Sequence, residues 1–265
     1  MLAEQDNEQL KDQVRAYWNA HPCGTQFTHL EWGSKEFFEE VERFRYETQP
    51  FMREVMEFDR HKGERLLEIG CGLGTDLMQF ARGGALVTGV DLTPASAELV
   101  RRRLALYGLS GNAQVADAER LPFADNTFDV VYSFGVLHHT PNTAKSVDEA
   151  YRVLRPGGRI IIMLYHRRSW HVQMGIWYAR LKKKLRPNVD ATDDWVRLYD
   201  GVDNPLGKAY TRGEIRSMFR RFADLRITTV DPHRRGLSPA MNAVNQRLFA
   251  AWWGFWLVIK GSKSG

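Results

Sequence analysis

Residues 65–74 read RLLEIGCGLG. A short apolar run that ends in glycines is the pattern of a β-strand buried on both faces and running into a tight turn. Glycine lets a backbone turn sharply or approach a ligand, so Gly70-Cys71-Gly72-Leu73-Gly74 is the first candidate binding element. On this reading a side chain at Gly70, Gly72 or Gly74 would block a polar ligand from the loop's N–H groups.

Upstream, Leu10, Val14, Tyr17 and Trp18, then Phe37, Phe38, Val41 and Phe44, recur at helical spacing, which predicts a helical N-terminal cover over residues 1–60. Downstream, runs at 86–91 (LVTGVD), 113–116 (AQVA), 128–133 (FDVVYS) and 159–165 (RIIIMLY) predict further strands. Between them, Thr93-Pro94 starts a helix that Gly108 stops, and Val147, Ala150, Tyr151 and Leu154 mark another, closed by Pro156-Gly157-Gly158. Thr211 and Glu214 have capping-box spacing ahead of Ile215, Met218, Phe219 and Phe222. Alternation through Leu225, Ile227 and Thr229 and the run FWLVIK at 255–260 complete a count of seven strands. Strands alternating with helices predict an α/β fold in residues 61–265, a doubly wound and mostly parallel sheet.

Residues 167–210 and 232–250 stand outside this alternation, each after the carboxyl end of a strand. Open α/β sheets bind ligands in the crevice at those ends, so both insertions are expected as lids.

With 265 residues and 43% hydrophobic composition, one core with attached lids is expected. No apolar stretch reaches bilayer length and the start MLAEQDNEQLKDQ is too polar for a secretory signal, so a soluble, cytoplasmic protein is expected. Cys23 and Cys71 cannot frame a disulfide scaffold, the eight histidines form no Cys/His cluster, and no metal is expected. The net charge of +5 mildly favours an anionic partner. Its basic residues gather in two sets, Arg167, Arg168, Arg180, Lys182, Lys183, Lys184 and Arg186, and Arg212, Arg216, Arg220, Arg221, Arg234 and Arg235. Solvated helix faces are the ordinary source of such sets.

Asp91 ends the second strand, where a carboxylate accepts hydrogen bonds from both hydroxyls of a ribose. Asp117, in Asp117-Ala118-Glu119, is placed to accept from an adenine amino group. Each acid alone also suits a helix cap or solvated loop, but glycines and two acids in this order put an adenosine site along one sheet edge. The G-x-G-x-x-G dinucleotide pattern is not met, because its last position is Thr75.

Beyond these residues, the chain resembles class I S-adenosylmethionine-dependent methyltransferases, closest to the ubiquinone- and menaquinone-biosynthesis branch. The likeness covers residues 64–166 and rests on LLEIGCGLG (66–74), TGVDLTP (88–94), ADAERLPFADNTFDVVYS (116–133), VLHHTPN (136–142) and VLRPGGRIII (153–162). It implies that Glu68 and the backbone of Gly70, Cys71, Gly72 and Gly74 meet the amino acid end of S-adenosylmethionine. Asp91 would meet the ribose, Leu92 the adenine face, Asp117 and Ala118 the adenine edge, and Ser133 with its successors the methionine portion. It also implies an antiparallel last strand between the fifth and sixth, and S-adenosylhomocysteine as product.

Methyl transfer from a sulfonium needs alignment and dryness more than acid–base help, and a base only where the acceptor must lose a proton. His138 and His139, after the fourth strand, are the base candidates, although a His pair is also a scaffold feature of the family. Tyr165 and His166 emerge beside them, and Tyr17 and Trp18 are placed to fold over the cofactor. Cys71 reads as a small buried filler.

The expected acceptor is a small molecule. Ser133-Phe134-Gly135-Val136 lacks the Pro-Pro-aromatic pattern of base-modifying members, which argues against nucleic acid. Trp170, Met174, Ile176, Trp177 and Leu181 with adjacent basic residues read either as an interface-seeking helix, serving a lipid, isoprenoid or quinone-like acceptor with peripheral membrane contact, or as a lid's packing face. A non-catalytic S-adenosylmethionine-binding protein is the alternative of another class. Oligomeric state is not encoded legibly.

Overall fold

In the computed structural model, which describes residues 2–187, 189–201, 203–232 and 238–265, the run RLLEI is β1 (Arg65–Ile69), buried beyond its first residue. Before it stand α1 (Leu2–Ala20), α2 (Lys35–Thr48) and the single turn α3 (Met52–Val55). After it come α4 (Thr75–Arg82), β2 (Leu86–Asp91), α5 (Pro94–Leu106), β3 (Gly111–Val115), β4 (Phe128–Phe134), α6 (Thr143–Val153) and β5 (Leu154–Tyr165). The first insertion holds α7 (Trp170–Leu181) and α8 (Ala191–Asp200). Then follow α9 (Arg212–Met218), β6 (Ala223–Val230), α10 (Pro239–Val244), a π-helical turn at Asn245–Ala250, α11 (Ala251–Trp253) and β7 (Trp256–Ser262).

The seven strands form one sheet in the order β3-β2-β1-β4-β5-β7-β6. The pairs from β3 to β5 are parallel, and β7 runs antiparallel to both β5 and β6, as the resemblance implied. Side chains alternate across the sheet. Leu66, Val130 and Ile161 face one layer with Leu77 of α4, Val100 of α5 and Val172 of α7. Leu67, Val131 and Ile160 face the other with Val147 of α6 and Ile215 of α9. Two apolar faces on β1, β4 and β5 therefore demand helices on both sides, which is why the sheet is doubly wound.

Local signals set the element ends. Thr93 caps α5 with Pro94 in its first turn, and Thr211 and Glu214 form a reciprocal capping box on α9. Two strand starts differ from expectation. β3 begins at Gly111, where a Cβ would come 2.7 Å from Val87, so only glycine lets the two strands approach. β5 begins at Leu154 rather than Arg159, because Gly157 takes φ 75 and its N–H pairs with Lys263 O at 2.8 Å. The Pro-Gly-Gly signal thus marks an irregular strand start. Arg234, Arg235 and part of the 232–250 insertion lie outside the described residues. No helix among the described residues is long and apolar enough to cross a membrane.

Candidate active site

The carboxyl ends of β1, β2, β4 and β5 border a cavity of about 200 Å³, roofed by Val14 and Trp18 of α1 and by Asp200 at the end of α8. None of the described residues of 232–250 lines it, so the expected second lid covers another part of the surface.

The glycine loop curls along its floor. Gly70, Gly72 and Gly74 have φ of 74, 49 and 70. A Cβ on Gly70 would meet Val136 at 2.3 Å and one on Gly74 would meet Val100 at 3.0 Å, whereas one on Gly72 has nothing within 4 Å. Only Gly72 faces open space, and the other two glycines serve packing. The amides hold the loop itself: the Gly70 and Cys71 N–H groups donate to Val90 O, and the Gly72 N–H donates to Asp91 Oδ2 at 3.0 Å. The expectation that all three glycines clear a ligand's approach is therefore corrected for Gly70 and Gly74. Cys71 borders the cavity, but burial pushes its thiol well up, and its sulfur packs over Gly89.

Carboxylates supply the polar wall. Glu68 on β1 is buried, and its Oε2 has no partner. Burial, with Asp76 close by, pushes this carboxyl well above its usual range against the pull of Arg45. Asp76 accepts from Arg45 Nε at 2.8 Å, Tyr46 OH at 2.9 Å and Tyr132 OH at 2.7 Å, which fixes Arg45 on the cavity wall. Asp91 lies at the end of β2, also bonded to the Thr93 N–H and hydroxyl, and burial pushes its carboxyl up despite those bonds. Leu92 and Ala118 line the cavity with it. Asp117 does too, but Lys11 Nζ already lies 2.8 Å from its Oδ2 and 3.0 Å from Glu119. Ser133 is placed elsewhere: fully buried, it donates to Ile69 O at 2.9 Å and ties β4 to β1.

At the other end, the two histidines part company. His139 lines the cavity, with Nδ1 2.6 Å from Leu206 O and Nε2 3.4 Å from Asp200 Oδ2. Trp18 stands edge-on to its ring at 5.3 Å, and Tyr17 donates to Asp200 O at 3.1 Å, so the N-terminal cover and the lid meet here. Tyr165 donates to Asp200 Oδ1 at 2.9 Å. His138 is wholly buried against the Tyr165 ring at 4.0 Å, and neither nitrogen has a partner. Burial first, then His139, drives its pKa well below the usual value, so His138 is a neutral core residue and not a base. His166 points away from the cavity, with Nδ1 3.0 Å from Gly254 O. Donor atoms of His138, His139 and Asp200 lie within 4.8 Å of one another, the one grouping with metal-ligand chemistry among the described residues.

Known proteins share parts of this sequence and this fold. Residues 67–162 match the family model described as a methyltransferase domain. Over those residues the chain is similar to methyltransferase domains. Demethylmenaquinone methyltransferase of Clavibacter sepedonicus is 44% identical over 141 residues, covering 49% of this chain and 55% of that protein. The chloroplastic tocopherol O-methyltransferase of Arabidopsis thaliana is 34% identical over 153 residues, covering 54% and 44%. An S-adenosylmethionine-dependent methyltransferase of Thermotoga maritima shares the fold, with a TM-score of 0.57 at 22% identity over 86% of this chain and 97% of that one. The chain matches about half of the length of these two curated relatives.

Three residues at the edge of the methyltransferase domain were not singled out from sequence. Arg45 carried a faint signal, a cation four residues after Val41 on the inner stripe of α2. Lys11 likewise precedes Val14 on the inner face of α1. Asp200 had none, because its position depends on how the lid folds back.

Proposed function

We propose that the protein transfers a methyl group from S-adenosylmethionine to a small acceptor whose attacking atom must lose a proton. The observation that carries this reading is one cavity with an unpaired buried carboxylate at one end and a histidine–carboxylate pair at the other.

The residues suit the cofactor. Glu68 Oε2 lacks a donor, which an ammonium would supply, and Arg45 offers a cation to a carboxylate. Asp91 retains acceptor capacity for ribose hydroxyls, between the apolar Leu92 and Ala118. Asp117 would serve an adenine amino group only in company with Lys11. S-adenosylmethionine, when bound, supplies a methyl group made reactive by a positively charged sulfur.

The chain's own part is alignment, exclusion of water and one proton transfer. A carbonyl partner assigns the His139 proton to Nδ1, leaving Nε2 as the acceptor that takes the proton from the attacking atom. Asp200 then offsets the charge on the ring, while Tyr165 holds Asp200 in place. Trp18 and the covering lid keep the site dry.

A methyl-transfer screen read by product mass, over quinols, phenols, amines, thiols and isoprenoid acceptors, tests the reading together with calorimetric titration of S-adenosylmethionine. His139→Ala is expected to lower kcat by about 10²- to 10⁴-fold with unchanged cofactor affinity. Unchanged turnover would remove the base, and absent cofactor binding would remove the whole proposal.

A further inference from the structure

Helix α7 is apolar on two sides. Val172, Ile176 and Ala179 are buried against the body, so Ile176 leaves the outward stripe in which the sequence pattern had placed it. Trp170, Met174, Trp177, Tyr178 and Leu181 still face outward, with Trp177 57% and Leu181 61% exposed. A lid helix needs only its inner face, yet the outer stripe of α7 stays largely exposed to solvent.

The stripe is not isolated. Trp170 lies 6.2 Å from Trp253, and Trp252, 75% exposed, lines the same groove. This groove, of about 1030 Å³, runs between the two segments and is lined by Arg168, Arg212, Arg216, Trp170, Trp252 and Trp253. Arg212 is committed to Ile227 O and Thr229, and burial with Arg216 nearby lowers its pKa. Arg168 and Arg216 have no carboxylate within ion-pair distance among the described residues, nor have Arg180, Lys182, Lys183 and Lys184 at the end of α7.

We infer that this face docks on an anionic phospholipid bilayer, the tryptophans and Leu181 entering the interface and the unpaired cations meeting the phosphates. Tryptophan with lysine and arginine at one level is the chemistry of that boundary, apolar at one depth and anionic at the next. Behind the stripe, His171 touches Tyr199 and Phe255, and Tyr199 stands edge-on to Tyr165 at 6.1 Å. The docking face thus backs onto the Asp200 end of the cavity. If the proposed function holds, on which this corollary rests, a bilayer-dissolved acceptor would be delivered at the His139 end.

The test is co-sedimentation of the full chain with phosphatidylcholine vesicles, with and without roughly 30% phosphatidylglycerol, at low and high salt. Anionic vesicles are expected to pellet the protein, neutral ones to do so weakly, and salt to release it. Trp177→Ser with Trp252→Ser, and separately Arg168→Glu with Arg216→Glu, should each weaken binding by about ten-fold or more. An unchanged melting temperature shows that each variant folds. Absence of pelleting, pelleting that ignores both variants, or full competition by inorganic phosphate overturns the inference. So does a dimer in analytical ultracentrifugation that the tryptophan variants dissolve, since the face would then join two copies. Pelleting involves no methyl transfer, so failure of the enzymatic reading, seen as no S-adenosylmethionine binding, remains a separate result.

Discussion

A Glu68→Gln substitution keeps the shape of the side chain and removes its ability to ionise. The wild-type carboxyl is buried and beside Asp76, so its pKa in the folded protein stands well above the ordinary value of 4.5. Below pH 4.5 the group is protonated in folded and unfolded chains alike, and its contribution to stability is present in full. As pH rises the unfolded chain ionises first, so wild type loses about 1.4 kcal/mol per pH unit until the folded group also ionises. Glutamine escapes this loss. By pH 6 the variant is expected to be more stable by up to about 2 kcal/mol, or roughly 4–8 °C in Tm, with no advantage at pH 4.5. Cofactor binding moves the opposite way, since losing a charge-assisted hydrogen bond of about 1.5–3 kcal/mol raises the Kd for S-adenosylmethionine about 10- to 150-fold. Scanning calorimetry at both pH values measures the first effect. Titration in two buffers of different ionisation heat measures the second, with proton release on binding in wild type and none in the variant. Equal stability at both pH values, or wild-type affinity in the variant, would refute the reasoning.

The glycines separate in the same way. Gly70→Ala drives a methyl into Val136 and should cost more than about 2 kcal/mol in urea denaturation, whereas Gly72→Ala should cost about 1 kcal/mol, fold, and lose cofactor affinity. His138→Phe should retain turnover. Because burial lowers His138, its stabilising contribution is whole above pH 6.5 and lost as pH falls, so the variant should gain about 1.4 kcal/mol per unit below that pH in acid denaturation. Ser133→Ala removes the bond to Ile69 O, and should cost about 1 kcal/mol in the same assay without changing cofactor affinity in titration.

The sheet was legible because β1, β4 and β5 hold apolar runs flanked by turn residues, and burial on two faces leaves that mark on composition. Strand starts were less so, since Gly111 and Gly157 read as breakers in sequence and act as points of close approach or irregularity in the sheet. Within the site, Glu68 and Leu92, named through the resemblance, and Asp91, read from its place at a strand end, all line the cavity. Ser133 and His138 do not, because alternation along β4 and the turn after it sends them into the core. Sequence order cannot tell which of two adjacent histidines faces a cavity. Asp200 was invisible for a different reason: it joins His139 only through long-range contacts of the lid.

The position of β7 has a consequence for how the molecule comes together. Among the described residues, β6 pairs with β7 alone, and the outer flank of β5 is covered by β7 alone. Until Trp256–Ser262 returns across everything made since Tyr165, the row Ile160 to Tyr165 is an apolar strand with an open flank. Such a flank accepts the same strand from a second molecule as readily as from its own chain. Refolding at high protein concentration therefore favours exchange of the last strand between copies, and dilution favours the monomeric closure.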